Sequence, residues 1–382
     1  KMMPELAEIP KSQADDEMIQ KAVNLLKKAK KPLIIVGKGM AWARAENELR
    51  ELVDLLGMPF LPTPMGKGVV DDSHELNVSP ARTLALREAD TILLLGARLN
   101  WMLHFGKPPR FKSDVKIIQV DISAEDIGNN IPTEIALLGD GVNVIKQLIS
   151  TIKGKNISFN KQSAWFTELE EKILLNKDQI DSMLSDNSEK MNYYHAFSII
   201  KNLLPDDAIV VSEGANTMDI GRTQMTHSLP RKRLDAGTHG TMGVGLGFAI
   251  AAALVEPGKR VVAVEGDSAF GFSGMEVDTA CRYDLPIIFI IFNNGGIGSG
   301  FDNKRDKKGI KNVSALSHTA HYEVMAEAFG GDGYFVKTMD EFQNAFSTAL
   351  SKNNTAVINV LIDPMADRKK QEFAWNRRDK MD

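Results

Sequence analysis

Cysteine is almost absent from this chain of 382 residues; Cys281 is the only one. It can form no internal disulfide. That excludes a disulfide-stapled scaffold and points to a reducing compartment, cytoplasmic or peroxisomal, rather than to secretion. Long apolar runs are also missing. The longest, residues 242–255, is interrupted by glycines and is shorter than the ~18–20 residues that a spanning helix needs. No membrane association is therefore expected. No signal-peptide pattern stands at the start. The first residue is Lys1 rather than methionine, so the natural start is expected upstream. The closing Lys380-Met381-Asp382 is not a usual peroxisomal tripeptide. A basic excess is lacking too: Lys plus Arg is 46 against 50 for Asp plus Glu, a net charge of -4. That argues against a dedicated nucleic-acid binder.

What is present is an ordinary globular balance, 43% apolar and 25% charged. At ~100–200 residues per domain, two or three domains are expected. Short apolar strands alternate with helical stretches, which predicts an α/β architecture built on parallel sheets. In the first half the strands are read at 33–36, 91–95, 116–120 and 135–138. Leu49, Leu52, Val53 and Leu56 fall at helical spacing within 45–56. The polar stretch 153–162 is the best linker candidate, and 181–190 is a charged, serine-containing connection. A second α/β unit begins near Asn192, with strands at 208–212, 261–265 and 286–292. The expected organisation is a first domain over 1–160, a helical linker over 161–191 and a second domain over 192–382, both doubly wound.

Gly266-Asp267-Ser268 follows one predicted strand and Asn293-Asn294 follows the next, with a helix predicted over 275–283 between them. Each pair alone reads equally well as a turn. Together they form one βαβ unit with both polar pairs at carboxyl ends of parallel strands, where ligands of open α/β sheets bind. A carboxylate, an amide oxygen and nearby carbonyls are the hard oxygen donors that suit Mg²⁺, and Mg²⁺ usually also takes phosphate oxygens. Gly266, Gly295 and Gly296 let backbone come close to a diphosphate.

On these residues the chain resembles the thiamine-diphosphate enzymes. The runs from Ser212 to Arg222, Leu234 to Thr238, Gly240 to Gly247 and Val264 to Glu276 resemble the 2-hydroxyacyl-CoA lyases, with the oxalyl-CoA decarboxylases close to them. The resemblance implies a middle ADP/CoA-binding domain followed by a diphosphate-binding domain, with thiamine diphosphate and Mg²⁺ as cofactors. It implies that Asp267, Asn294 and the Gly296 carbonyl hold Mg²⁺. Ser268 and Ala269 would lie against the diphosphate. Gly240 would offer its carbonyl to the cofactor's 4′-amino group, beside Thr241, and Met242 would be the apolar wedge that keeps the cofactor bent. On spacing alone, Met242 reads as core packing. Ala215, Asn216 and Thr217 match a further cofactor-contacting stretch. In the first half, Lys38, Arg98, Asp121 and Asp140 each follow a predicted strand. Base for phosphate and acid for ribose would fit ADP or part of CoA, and solvated loop charges are the alternative. Arg222 would face CoA phosphates. The cluster Arg231, Lys232 and Arg233 reads rather as a solvated surface, and Arg368-Lys369-Lys370-Gln371 resembles a tail that closes over acyl-CoA, with an ordinary charged tail as the alternative.

The implied reaction is carbon–carbon cleavage of a 2-hydroxyacyl-CoA to formyl-CoA and an aldehyde one carbon shorter. The alternatives are oxalyl-CoA decarboxylation and a non-catalytic nucleotide-binding or regulatory subunit. A nicotinamide-dependent dehydrogenase ranks below these, because Trp42 stands where the dinucleotide fingerprint needs its third glycine. His239 would line the pocket. His318 and His321 have no partners that complete a metal set, and Cys281 is expected to be buried and inert. Two departures from the family stand out: Gly298 where relatives commonly carry tyrosine, and a short, lysine-rich loop over 302–317. A third is larger. Nothing in the chain matches the family's pyrimidine-binding domain with its activating glutamate. The site would need a further domain or a separate chain, and a dimer or tetramer is expected.

Overall fold

The computed structural model describes residues 9–186, 190–298, 312–366 and 368–369. The chain divides into two compact units, Lys1–Ile173 and Leu174–Asp382. Both are parallel α/β sheets covered by helices, the expected fold class.

The first unit contains α1 (Asp16–Leu26), β1 (Pro32–Val36), α2 (Lys38–Ala43), α3 (Glu46–Leu56), β2 (Phe60–Pro62), α4 (Arg82–Glu88), β3 (Thr91–Leu95), β4 (Lys116–Asp121), β5 (Ile135–Leu138) and α5 (Gly141–Lys155). The strand order is β2-β1-β3-β4-β5, all parallel. β1 and β3 are buried along their whole length, because a parallel strand covered on both faces is a continuous apolar run. Alternate residues feed opposite faces. Ile34, Val36, Leu93 and Leu95 pack with α1, α3 and α5. Leu33, Ile35, Ile92 and Leu94 pack on the other side with Ala85 and Leu86 of α4. β5 lies at an edge and alternates buried with exposed residues.

The next helix, α6 (Ala164–Leu184), begins in this unit and ends in the second. Its Trp165, Phe166 and Leu169 are buried in the first unit's cores. Ile180 and Met183 pack against a core of the second. Residues 153–162 are partly helix, since α5 runs to Lys155, and the Phe159 N–H donates to the Leu56 carbonyl at 2.8 Å.

The second unit contains α7 (Tyr193–Leu203), β6 (Ile209–Glu213), α8 (Ala215–Gln224), β7 (Arg233–Asp235), α9 (Gly245–Val255), β8 (Val261–Gly266), α10 (Asp267–Ser273), α11 (Glu276–Arg282), β9 (Ile287–Asn293), α12 (Val324–Ala328), β10 (Asp332–Val336), α13 (Met339–Ser351) and β11 (Ala356–Leu361). Its order is β10-β11-β9-β8-β6-β7, again all parallel. Val210, Val262, Val264, Ile288 and Ile290 face α7 and α13. Val211, Ala263, Phe289 and Ile291 face α9 and α11. The helix predicted over 275–283 is one of two: α10 and α11 are separated at Gly274-Met275.

Candidate functional site

In the second unit the chain places β7 on one side of β6 and then crosses to place β8 on the other. That reversal opens a crevice beyond the carboxyl ends of β6 and β8. Gly214 follows β6 with φ +99°, and a Cβ there would lie 3.1 Å from the Gly266 nitrogen. Backbone meets backbone here, and glycine is the residue that permits it. Ala215 opens α8, and Asp267 opens α10.

Asp267 is the charged centre of the crevice, 2% exposed. Its Oδ1 accepts from the Ser268 N–H at 2.7 Å, and its Oδ2 from the Gly295 N–H at 2.9 Å. Among the described residues no cation pairs with it. Burial pushes its carboxyl from 3.8 up to about 6, against the opposing pull of these N–H donors. A buried carboxylate with only backbone dipoles around it is a ready ligand for a cation.

The loop after β9 lies directly across from it. Asn294 is buried; its Oδ1 accepts from Gly296 N–H at 3.1 Å. Its Nδ2 donates to the Tyr193 hydroxyl at 2.7 Å and to the Gly298 carbonyl at 3.0 Å. The Asn216 Nδ2 donates to the same carbonyl at 2.6 Å. Gly298 has φ +75°, in the left-handed region that favours glycine. The glycine here suits a backbone turned so that its carbonyl meets two amides. A short antiparallel bridge pairs Gly296 with Ala315. Its backbone bonds use the Gly295 carbonyl and the Ile297 N–H, and not the Gly296 carbonyl. Residues 299–311, which include most of the lysine-rich loop, lie outside the described residues.

The predicted site residues of this unit therefore converge. Asp267, Ser268, Ala269, Asn294, Gly296, Ala215, Asn216 and Thr217 all stand at the ends of β6, β8 and β9. Gly240 and Thr241 are exposed and Met242 is half-buried, in the turn between β7 and α9. That turn is tied to β6 by Glu213, whose carboxylate accepts from the Gly243 N–H and, at 2.5 Å, from the Gly245 N–H. Met242 is thus not a core residue. Glu265 pairs with Glu213 in register on β8 and is fully buried. Burial, with the Glu213 carboxylate beside it, pushes its carboxyl well above the usual range.

Arg222 pairs with Asp219 at 3.2 Å, and Asp219 also lies 3.4 Å from Arg368. Arg368 donates to Asn216 Oδ1 at 2.8 Å, and the Lys369 N–H donates to the Tyr194 hydroxyl at 2.9 Å. Lys370 and Gln371 lie outside the described residues. In the first unit Lys38, Arg98, Asp121 and Asp140 all stand at the carboxyl edge of the sheet. Lys38 and Arg98 are exposed, and Arg98 lies 3.8 Å from Asp126. Burial raises the Asp121 carboxyl. Asp140 is committed to capping α5, accepting from Val142 N–H at 3.0 Å.

His239 is exposed. His318 contacts the Ile362 carbonyl at 3.1 Å and His321 the Glu323 carboxylate at 2.5 Å. Among the described residues no three His, Cys, Asp or Glu side chains form a metal cluster. One carboxylate, one amide and one carbonyl are a different kind of donor set. Cys281, expected to be buried, is half-buried, and burial raises its thiol. No helix among the described residues is long and apolar enough to cross a membrane.

Sequence reasoning missed Tyr193, Glu213 and Glu265. The two glutamates carry a signal: each ends an otherwise apolar run, Val-Val-Ser-Glu and Val-Ala-Val-Glu, where an ionised group has no place. Tyr193 carries none, since an aromatic residue opening a helix reads as core.

Comparison with known proteins agrees with this geometry. Residues 19–148 match the central domain of thiamine pyrophosphate enzymes, and residues 218–360 match their C-terminal TPP-binding domain. The chain is 49% identical to a 2-hydroxyacyl-CoA lyase 1 of Mus musculus, over 97% of this chain and 66% of that protein. It is 45% identical to a 2-hydroxyacyl-CoA lyase of Oryza sativa, over 94% of this chain and 63% of that protein. An oxalyl-CoA decarboxylase of Escherichia coli is 40% identical, over 95% of this chain and 63% of that protein. The chain thus spans about two thirds of the length of these relatives. With both domain types and the crevice in place, the chain belongs to the thiamine pyrophosphate enzyme family, in the group that holds the 2-hydroxyacyl-CoA lyases.

Proposed function

We propose that this chain carries the central and diphosphate-binding domains of a carbon–carbon lyase that cleaves 2-hydroxyacyl-CoA to formyl-CoA and an aldehyde one carbon shorter. The observation that carries the reading is Asp267, a buried carboxylate with no cationic partner among the described residues, facing Asn294 and the Gly296 backbone. These three suit Mg²⁺, which takes hard oxygen ligands and bridges readily to phosphate. Close backbone approach of Gly214 to Gly266, with the Thr217 hydroxyl beside them, fits a diphosphate lying against Ser268, Ala269 and the start of α8. Gly240 and Met242, in the turn anchored by Glu213, would face the cofactor's ring portion. Thiamine diphosphate supplies the electron sink for the bond that breaks. The protein's part is to hold the metal, fix the diphosphate and orient the acyl-CoA.

In this reading Lys38, Arg98, Asp121 and Asp140 border an ADP or CoA site in the central domain. Asp140 serves there through its helix cap, and Arg222 faces CoA phosphate. The domains extend over 1–160 and 192–382, joined by 161–191. The reading also requires a pyrimidine-binding domain with its activating glutamate, and association of copies as a dimer or tetramer. The 49% and 45% identity to the Mus musculus and Oryza sativa lyases, against 40% to the decarboxylase, supports the lyase over oxalyl-CoA decarboxylation.

The test supplies the protein, as its source makes it, with 2-hydroxyacyl-CoA, thiamine diphosphate and Mg²⁺. Formyl-CoA and the shortened aldehyde are expected, with oxalyl-CoA turned over poorly. Absence of formyl-CoA rejects the lyase reading. Asp267→Ala should abolish Mg²⁺-dependent cofactor binding in a titration, and retained binding rejects the site.

A further inference from the structure

Tyr193 opens α7 and is buried against the Phe292 ring, with ring centroids 6.1 Å apart. The cap on Asn192, whose Oδ1 accepts from the His195 N–H at 2.9 Å, fixes where the helix starts and so where this phenol points. It points at the loop after β9. Its oxygen accepts from Nδ2 of Asn294 at 2.7 Å and faces Nδ2 of Asn216 at 3.5 Å. Both amides also donate to the Gly298 carbonyl. Gly298 O only accepts and the Gly296 N–H only donates, so the two ends of the Asn294 amide cannot be exchanged. The phenol holds Nδ2 from a second side, and Oδ1 is left on the side of Gly296.

We propose that Tyr193 is a positioning residue for the metal-binding loop: its hydroxyl orients the Asn294 amide, and through Asn216 couples α8 to that loop. The inference rests on the metal-site reading above. Groups that orient a ligand typically contribute 10–100-fold to metal affinity. Tyr193→Phe removes one oxygen and keeps the ring.

Mg²⁺ is titrated into the protein in the presence of excess thiamine diphosphate, in wild type, Tyr193→Phe and Asp267→Ala. Expected are tight binding in wild type, none with Asp267→Ala, and 10–100-fold weaker binding with Tyr193→Phe. At saturating Mg²⁺ the Tyr193→Phe turnover should return to within about twofold of wild type, a split that a general loss of structure would not give. Equal Mg²⁺ affinity in wild type and Tyr193→Phe overturns the inference and leaves the metal site standing. No Mg²⁺ binding in wild type overturns both. A second measurement uses wild type alone. The Asn294 carboxamide protons, held between two acceptors, should exchange slowly with solvent in the Mg²⁺-loaded protein, and fast exchange overturns the inference whether or not the variant folds.

Discussion

Asp267 shows how one side chain can be unfavourable to the fold and useful to the site. Its folded-state pKa of about 6 lies above the 3.8 of a free aspartate. The folded chain therefore binds this proton more tightly than the unfolded chain. Without metal, its contribution to stability is fully present below about pH 4. It is lost as pH rises through about 6, by roughly 3 kcal/mol for a shift of this size. Metal needs the ionised form, so proton and Mg²⁺ compete. Apparent Mg²⁺ affinity should rise about fivefold from pH 5 to pH 6, about twofold more to pH 7, and level off above that, by titration across that range; a flat profile would remove Asp267 as a ligand. Asp267 was legible because a carboxylate and an Asn-Asn pair each close an apolar strand. Tyr193 was not: only the folded helix α7 brings it to Asn294, and nothing in its local sequence marks the contact.

At the scale of elements, strands buried on both faces announce themselves. β1, β3, β8 and β9 are nearly unbroken apolar runs. β2 and β7 have three residues each, too few to carry a pattern. β11 was missed because Asn359 breaks its apolar run. The structure shows why it is there: its amide donates to the Ala320 carbonyl and to Glu323, both at 2.8 Å, and holds the approach to β9. The start of α13 carries a local signal that the sequence reading did not use. Thr338 accepts from the Glu341 N–H at 3.2 Å, and Glu341 accepts from the Thr338 N–H at 3.2 Å, a reciprocal capping box. Thr338→Ala should cost about 1 kcal/mol in a urea-unfolding experiment. Since α13 packs Phe342 and Phe346 into the same core as β9, that loss should be read by the unfolding of the second unit.

For the whole molecule, each unit has its own pair of cores, which is why two domains could be expected from length and strand pattern alone. The second unit also has an apolar helix that its own sheet covers only in part. In α9, Phe248 is 39% exposed, Leu254 58% and Val255 76%. A helix apolar on all sides belongs in an interior, so the association of copies proposed above has in this face a surface to bury. Leu254→Glu should shift the protein toward smaller species in size-exclusion chromatography, while an unchanged elution would place the contact elsewhere. The sheets, by contrast, end guardedly. β2 and β7 are short edges, β5 has four residues, and on β10 Lys352 lies 6.0 Å over the Tyr334 ring and Lys337 5.3 Å over the Phe335 ring. Little free backbone is left at either margin for a stranger's strand to template on. While folded, such a chain offers its neighbours helix faces rather than open strand edges.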